Sequence, residues 1–278
     1  MTAASAASTA AGPRLTMELE NRRTASPVVR SFRAVPATVR VNRELTARAG
    51  TPGGRSVRHL EIALPAGVTY QVGDHLGVLP RNHVALLNRV TARFGLDAGQ
   101  YVTLHARGGA PTHLPTGEPY PLLAVLAGCV ELQDVATRPQ LAAMAEHLPE
   151  GPARDELRDL AATTEDSRAR YRERIAAPRR TFLELLEAHP DCTLPFVAFL
   201  DLLPALRPRY YSISSAPSVS EEPSVTVGVL DEPARSGQGR YLGVCSRHLA
   251  ETRRAARSSS WSDDPRSPST RRRTRTSP

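Results

Sequence analysis

Apolar and polar residues alternate with a period of two near both ends of the chain. Leu60, Ile62 and Leu64 are separated by polar or small residues, and Val225 and Val227 repeat the pattern much later. This period is typical of strands that bury one face. The pattern and its turn signals predict strands at 37–45, 57–64, 75–79, from 208, at 225–229 and at 240–242.

Between these two regions, apolar residues recur at the spacing of a helix instead. The stripe from Leu86 to Phe94 predicts a helix that ends at Gly95. Further helices are predicted at 122–126, 140–148, 153–171, 181–188 and 196–203. A last helix is predicted at 243–250, with Ser246 as a candidate cap in its first turn.

The change of period predicts how the chain is divided. Residues 34–82 and 204–250 form one strand-rich domain, and 83–203 are a helical subdomain inserted into it. Residues 1–33 have neither period and are predicted to be a linker or disordered. Residues 251–278 are rich in Arg, Ser, Thr and Pro. They are predicted to be a disordered basic tail, and a slipped reading frame would give the same composition.

Charge changes this picture little. The formal net charge is +8, but the tail from Arg253 onward holds eight arginines against two aspartates. The rest of the chain is therefore only mildly basic, and no nucleic-acid partner is predicted for it. An apolar content of 40% suits a globular protein. The sequence contains no apolar run long enough to predict a membrane span or a secretory leader.

The cysteines indicate the cellular compartment. Cys129, Cys192 and Cys245 are few, odd in number and far apart in the sequence. Such usage predicts a reducing, cytoplasmic location without a disulfide framework. Their spacing matches no metal-ligand motif, so no metal site is predicted.

The run from Arg209 to Ser215 carries the first candidate chemistry. An arginine presents a fixed fork of donors suited to a diphosphate. Arg209 and Tyr211 share one face of a strand, and an aromatic ring can stack on a flat heterocycle. Ser212 points to the other face, so a bend near it is needed if all three are to contact one ligand.

Two glycine-containing segments follow within about thirty-five residues of Arg209. Gly243, Val244, Cys245 and Ser246 begin a predicted helix, whose first N–H groups and positive dipole end favour a diphosphate. Gly228 lies on the outward side of its predicted strand, where the missing side chain lets a ligand approach the backbone. Each signal is weak alone, but the three together in this order predict an FAD site.

These three runs resemble the FAD signatures of the diflavin reductases, the group of NADPH–cytochrome P-450 reductase and sulfite reductase flavoprotein. Segments 55–62, 73–82, 88–96 and 130–134 are similar to that family too. The resemblance covers about residues 35–250 and is strongest to the reductase part of bacterial self-sufficient fatty-acid hydroxylases. In those proteins, haem, FMN and FAD modules share one polypeptide.

The resemblance implies a fold that is mainly β with an inserted α subdomain. The strands would form an antiparallel flavin-binding β-barrel, and the helices would form the connecting subdomain.

The resemblance also implies roles for individual residues. Arg209 would pair with the FAD diphosphate beside Tyr210, and Tyr211 would stack on the isoalloxazine. Ser212 would be catalytic, hydrogen-bonding near N5 as hydride arrives from NADPH. The remaining FAD contacts would be Gly228, Val229 and Leu230 at the adenine or ribose, Gly243, Val244, Cys245 and Ser246 at the diphosphate, and Arg179. Arg55 matches a position that contacts NADP.

The implied role is an electron relay from NADPH through FAD to FMN and haem. The partners would be an FMN domain and a cytochrome P-450 haem domain, with no nucleic acid or membrane involved. The chain ends roughly where a nucleotide-binding domain would begin, so it is expected to hold only the FAD station and to be incomplete alone. Alternatives are the FAD module of a sulfite reductase-type flavoprotein, or an inert fragment with a basic tail.

Overall fold

The computed structural model describes residues 27–47, 54–106 and 111–252. The predicted basic tail, apart from residues 251–252, and most of the predicted N-terminal linker lie outside the described residues. Residues 27–31 are an exception, because they form a short helix whose Val28 side chain is buried. The prediction of a linker up to residue 33 is therefore wrong for this segment.

The predicted strands are confirmed at both ends of the described chain, with small shifts in their bounds. The short strands of 101–102, 120–121 and 231–233 lack a clear period and were not predicted. The strands are β1 Thr38–Glu44, β2 Ser56–Ala63, β3 His75–Val78, β4 Tyr101–Val102, β5 Tyr120–Pro121, β6 Arg209–Ser212, β7 Ser224–Val229, β8 Asp231–Pro233 and β9 Arg240–Leu242.

Antiparallel pairing joins strands from the two distant strand-rich segments. The central sheet has the order β1-β2-β7, and Leu60 of β2 lies opposite Val225 of β7. Strands β3 and β6 form a separate pair, and a single bridge between Ile213 and Val225 links that pair to β7. Pairs β4-β5 and β8-β9 are small hairpin-like ladders. Within the described ranges, these ladders do not close into a barrel.

The predicted helices are also present, and helices contain more of the described residues than strands do. The helices are α1 Pro27–Ser31, α2 Val84–Phe94, α3 Leu122–Gly128, α4 Arg138–Glu146, α5 Pro152–Ala161, α6 Glu165–Tyr171, α7 Phe182–Ala188, α8 Phe196–Leu202 and α9 Val244–Glu251, with a π-helical turn at Arg172–Ala176. The description "mainly β" therefore fits only the strand-rich segments.

One predicted helix, 153–171, is in fact two. Helix α5 ends at Ala161, and α6 begins after Thr164, whose side chain accepts a hydrogen bond from the Ser167 N–H. A threonine in extended conformation that satisfies a free N–H is a strong start signal for a new helix. No Gly or Pro marks the break, which is why the pattern alone did not reveal it.

Two separate hydrophobic clusters support these elements. The larger cluster lies almost entirely within residues 83–203 and includes the fully buried Phe182, Phe199 and Leu126. The smaller cluster has six buried members, Leu60, Ile62, Val225, Val227, Cys245 and Leu249, contributed by β2, β7 and α9. Helix α9 thus covers one face of the central sheet. No helix in the described part of the chain is long and apolar enough to span a membrane.

Candidate functional site

Strand β6 places four candidate residues on two opposite faces. Arg209 and Tyr211 are half-buried on one face, and Tyr210 and Ser212 are exposed on the other. The Tyr210 ring packs over Gly77 of β3, where an added Cβ would lie 3.0 Å from ring atom Cε1. This alternation follows from the period of two in a strand. A ligand on one face would therefore contact only two of these four side chains while the strand stays straight.

The chain changes its pairing partner directly after Ser212. Ser212 is paired with His75 of β3, whereas Ile213 bridges to Val225 of β7 and the Ser214 N–H donates to the Ser224 carbonyl. The strand thus ends at Ser212, and a bend that brings Arg209, Tyr211 and Ser212 to one ligand stays a prediction. A side chain at such an end can reach past the strand edge towards either face.

The Arg209 guanidinium is held by two hydrogen bonds. Its Nη2 donates to Oε2 of Glu131 at 2.9 Å, and its Nη1 donates to the Arg207 carbonyl at 2.8 Å. The Glu131 side chain is 4% exposed, whereas that of Arg209 is 40% exposed. Burial raises the pKa of Glu131, and the hydrogen bond from Arg209 opposes that rise. The charged guanidinium of Arg209 is therefore partly exposed, whereas the carboxylate that holds it is buried.

The Tyr211 side chain packs against the small hydrophobic cluster that contains Cys245, at the start of α9. Burial and the nearby Cys245 thiol raise the pKa of Tyr211. Burial also raises the pKa of Cys245, although Tyr211 and Arg209 act in the opposite direction. Both groups are therefore neutral near pH 7, and the contact brings the first turn of α9 against the face of β6 that carries Arg209.

The start of α9 is tightly packed against the end of β7. Gly243 donates its N–H to the Leu230 carbonyl at 2.8 Å, and the Leu230 N–H donates to the Ser246 hydroxyl at 3.1 Å. A Cβ on Gly243 would lie 2.5 Å from that hydroxyl and 2.8 Å from the Leu230 Cβ. Ser246 is therefore not the cap of α9. Its hydroxyl is used to join the helix to β7, and Gly243 is the cap residue.

The first N–H groups of α9 remain directed beyond its N-terminus. In an α-helix the first N–H groups have no partner within the helix, and here Arg247 is the residue whose N–H bonds back to Gly243. The N–H groups of Val244, Cys245 and Ser246 therefore define a donor set at the positive end of the helix dipole.

Gly228 and Val229 occupy the end of β7 that leads to this helix. Gly228 is exposed and pairs with Val57, and an added Cβ there would meet nothing within 4 Å. The backbone is therefore open to the surface at this point. Val229 pairs with Ser56 of β2, which places the exposed Arg55 at the same end of the sheet.

A cleft of about 300 Å³ opens beside Leu230, between the β8-β9 pair and the helical segment. Arg179 lies in its wall, with its guanidinium carbon 6.0 Å from the centre of the Tyr241 ring. Arg179 is one of only two described residues other than glycine with a positive φ, at 54°. Such backbone strain is retained where the surroundings enforce it, and it often marks a ligand site. The lining also includes Leu132, Gln133, Glu184, Arg235, Ser236 and Arg240.

Several residues of this site were not found by sequence reasoning. Gln133 donates to the Leu242 carbonyl at 2.7 Å, and the buried Glu184 accepts from Ser236 at 2.7 Å. Together with Glu131, they tie the helical segment to β6, β9 and the loop before β9. The detectable signal was the polar side chains of Glu131, Gln133 and Asp134 between apolar stretches, but the partners of Glu131 and Gln133 lie far away in the sequence.

We also considered metal ligands among residues 27–47, 54–106 and 111–252. No group of three or more His, Cys, Asp or Glu side chains there could hold a metal ion. Cys129, Cys192 and Cys245 are buried thiols that form no disulfide.

Comparison with known families identifies the class to which this fold belongs. The model of the FAD binding domain family matches residues 28–248. The chain therefore belongs to the FAD-binding domain family.

Curated relatives point to one group of proteins within that class. The chain is 46% identical over 227 residues to bifunctional cytochrome P450/NADPH–P450 reductase 1 of Bacillus subtilis (strain 168), covering 81% of this chain and 21% of that protein. It is 43% identical over 238 residues to the bifunctional cytochrome P450/NADPH–P450 reductase of Bacillus cereus, covering 85% and 22%. The Fusarium oxysporum protein of the same name is 36% identical over 201 residues, covering 72% and 18%. The chain thus spans about a fifth of the length of these relatives.

Proposed function

We propose that this chain is the FAD-holding module of an NADPH–cytochrome P450 reductase. The observation that carries the proposal is that segment 131–133 links three donor sets, because Glu131 holds Arg209 and Gln133 both lines the cleft and donates to the Leu242 carbonyl next to α9. These are the Arg209 guanidinium, the first N–H groups of α9 and the cleft wall with Arg179. Membership of the FAD-binding domain family supplies the ligand class.

The residues present suit the two ends of FAD in different ways. Arg209 and the N–H groups of Val244 to Ser246 would bind the diphosphate, since both are donors for an anion. Leu230 and Arg179, with Gly228 and Val229 nearby, would contact the adenosine end at the cleft. Arg55, at the same end of the sheet, would contact NADP in the assembled protein.

The flavin end would lie against β6. Tyr211 would offer its ring, because it shares a face with Arg209, and Tyr210 would border the site from the opposite face. When bound, the flavin would accept a hydride and release electrons one at a time. Ser212, exposed where the strand ends, would hydrogen-bond near the atom that receives the hydride.

The same proposal includes a flavin-binding barrel, the partner domains and the cellular location. The order β1-β2-β7, with β6 and β3 joined through the Ile213 bridge, is consistent with an antiparallel barrel that is open in the described residues. A cytochrome P450 domain would be one partner, as the names of the relatives suggest. The resemblance to the diflavin reductases adds an FMN domain and places haem in the P450 domain. Buried cysteines without disulfides support a cytoplasmic location.

Titration of the purified 278-residue chain with FAD tests the proposal. We expect binding that quenches flavin fluorescence, with FMN binding at least tenfold more weakly because it lacks the adenosine end. Arg209→Ala should weaken FAD binding by about 30-fold, within the range for a hydrogen bond to a charged group. Absence of FAD binding at 1 mM FAD would overturn the proposal.

An activity measurement addresses the relay. We expect the chain alone to reduce ferricyanide or cytochrome c only slightly with NADPH, because the relatives are about five times longer. Robust turnover would show that the chain is a complete reductase rather than one station of a relay.

A further inference from the structure

We propose that Glu131 is a positioning residue of the FAD site, whose buried carboxylate fixes the Arg209 guanidinium for the diphosphate. This inference rests on the proposed function, because it concerns how Arg209 is prepared for its ligand.

The backbone around Glu131 is fixed on the side that leads into β6. The Glu131 N–H donates to the Pro204 carbonyl at 2.9 Å, and Val130 forms an isolated bridge with Ala205. The backbone that carries the carboxylate is therefore held next to the segment that leads into β6, which lets Glu131 set the geometry of the pair.

Stability is a weak reason for such a pair. Burying a carboxylate has a large desolvation cost, and one good partner commonly no more than offsets it. Burial and the charge of Asp134 both raise the pKa of Glu131, which shows that the carboxylate lies in an unfavourable place. An apolar residue of similar size would fill the same space without that cost.

Positioning is the stronger reason. A guanidinium has five N–H donors in one plane. Within the described residues, Glu131 and the Arg207 carbonyl engage donors on two different nitrogens, which fixes both the position and the plane of the group. The remaining donors belong to a side chain that is 40% exposed. A ligand then avoids the cost of immobilising a flexible side chain.

A double-mutant cycle tests the proposal in the 278-residue chain, with FAD affinity as the measurement. We expect Glu131→Ala to weaken binding about tenfold and Arg209→Ala about 30-fold. Since Glu131 acts only through Arg209, the double variant should bind no more weakly than Arg209→Ala alone. Glu131→Gln should stay within threefold of the wild type, because its amide oxygen still accepts from Nη2.

Two controls separate positioning from folding. Asp159→Asn removes the partner of Arg170 in an ion pair of the helical segment and should leave FAD affinity unchanged. Glu131→Met fills the same space without an acceptor, and it replaces Glu131→Ala in the cycle if the alanine variant does not fold.

Two results would overturn parts of this account in distinguishable ways. If the effects of Glu131→Ala and Arg209→Ala multiply in the double variant, Glu131 acts independently and the inference is wrong while FAD binding stands. If the wild-type chain does not bind FAD, the proposed function itself fails.

Discussion

The helical segment and the strand-rich part differ in how they are held together. The helices share one large cluster of buried side chains, with four phenylalanine rings in contact around Phe199. The central sheet and α9 share only six buried residues. Most candidate FAD contacts belong to the part with the smaller core. A ligand there would therefore supply contacts that the sheet itself lacks.

The largest expected effect is a substitution in the helical core. Phe199→Ala should lower the free energy of unfolding by about 3–5 kcal/mol, because the ring is fully buried among other aromatic rings. Urea denaturation followed by far-ultraviolet circular dichroism measures it. Val197→Ala on the same helix is the control, since Val197 is 61% exposed and should change the value by less than about 0.5 kcal/mol. Equal effects would mean that the helical core is not packed as described.

A matched substitution in the small core sharpens the comparison. Leu60→Ala should cost about 3 kcal/mol, because Leu60 is fully buried between β2 and its neighbours. FAD at 100 times its dissociation constant should restore about 2.7 kcal/mol, since it binds only the folded state. The same measurement with and without FAD tests this. If FAD does not raise the free energy of unfolding of Leu60→Ala, FAD does not stabilise the strand-rich part.

Two glycines separate packing from ligand contact. Gly243→Ala should weaken FAD binding about tenfold, because its Cβ would collide with Ser246 and Leu230 and shift the first turn of α9. Gly228→Ala should leave the thermal midpoint of the free protein unchanged, because its Cβ would meet only open space. Calorimetry of both variants with and without FAD distinguishes the two cases. A lower midpoint for free Gly228→Ala would mean that the end of β7 is more crowded than described.

The smallest effect is a pH dependence in the strand-rich part. Burial would raise the pKa of Glu44, but hydrogen bonds from Ser56, Thr46 and the Val57 N–H lower it to about 2. The group therefore adds stability that is complete above pH 4.5 and is lost as the pH falls towards 2. The thermal midpoint of Glu44→Gln should depend less on pH across this interval than that of the wild type. Parallel pH profiles would show that Glu44 does not contribute.

Much of the fold could be predicted because the two periods change where the structure changes. The strands around Leu60 and Val225 and the helix ending at Gly95 follow directly from the pattern. The break at Thr164 could not be found, since no Gly or Pro marks it. The pairing of β6 with β3 was equally hidden, because strand partners depend on contacts between distant segments.

The residues of the candidate site also differ in how well the sequence predicts them. Arg209 and Gly243 can be predicted from the residue types around them and their order, and both match known FAD signatures. Glu131 and Glu184 act through partners in other segments, so local sequence carries little sign of them. The prediction of Ser246 as a cap is wrong for the same reason. Its hydroxyl accepts from Leu230, which lies outside α9.

The pairing of β2 with β7 also bears on how the chain folds. It joins Ser56 and Val229, residues near opposite ends of the described chain, so it closes a very long loop. Closing a long loop has an entropic cost, and contacts distant in sequence slow folding. A helical segment that folds first brings the two strands together and shortens the effective loop. We therefore expect β1 and β2, which leave the ribosome before β7, to remain unpaired with β7 until the helices have formed.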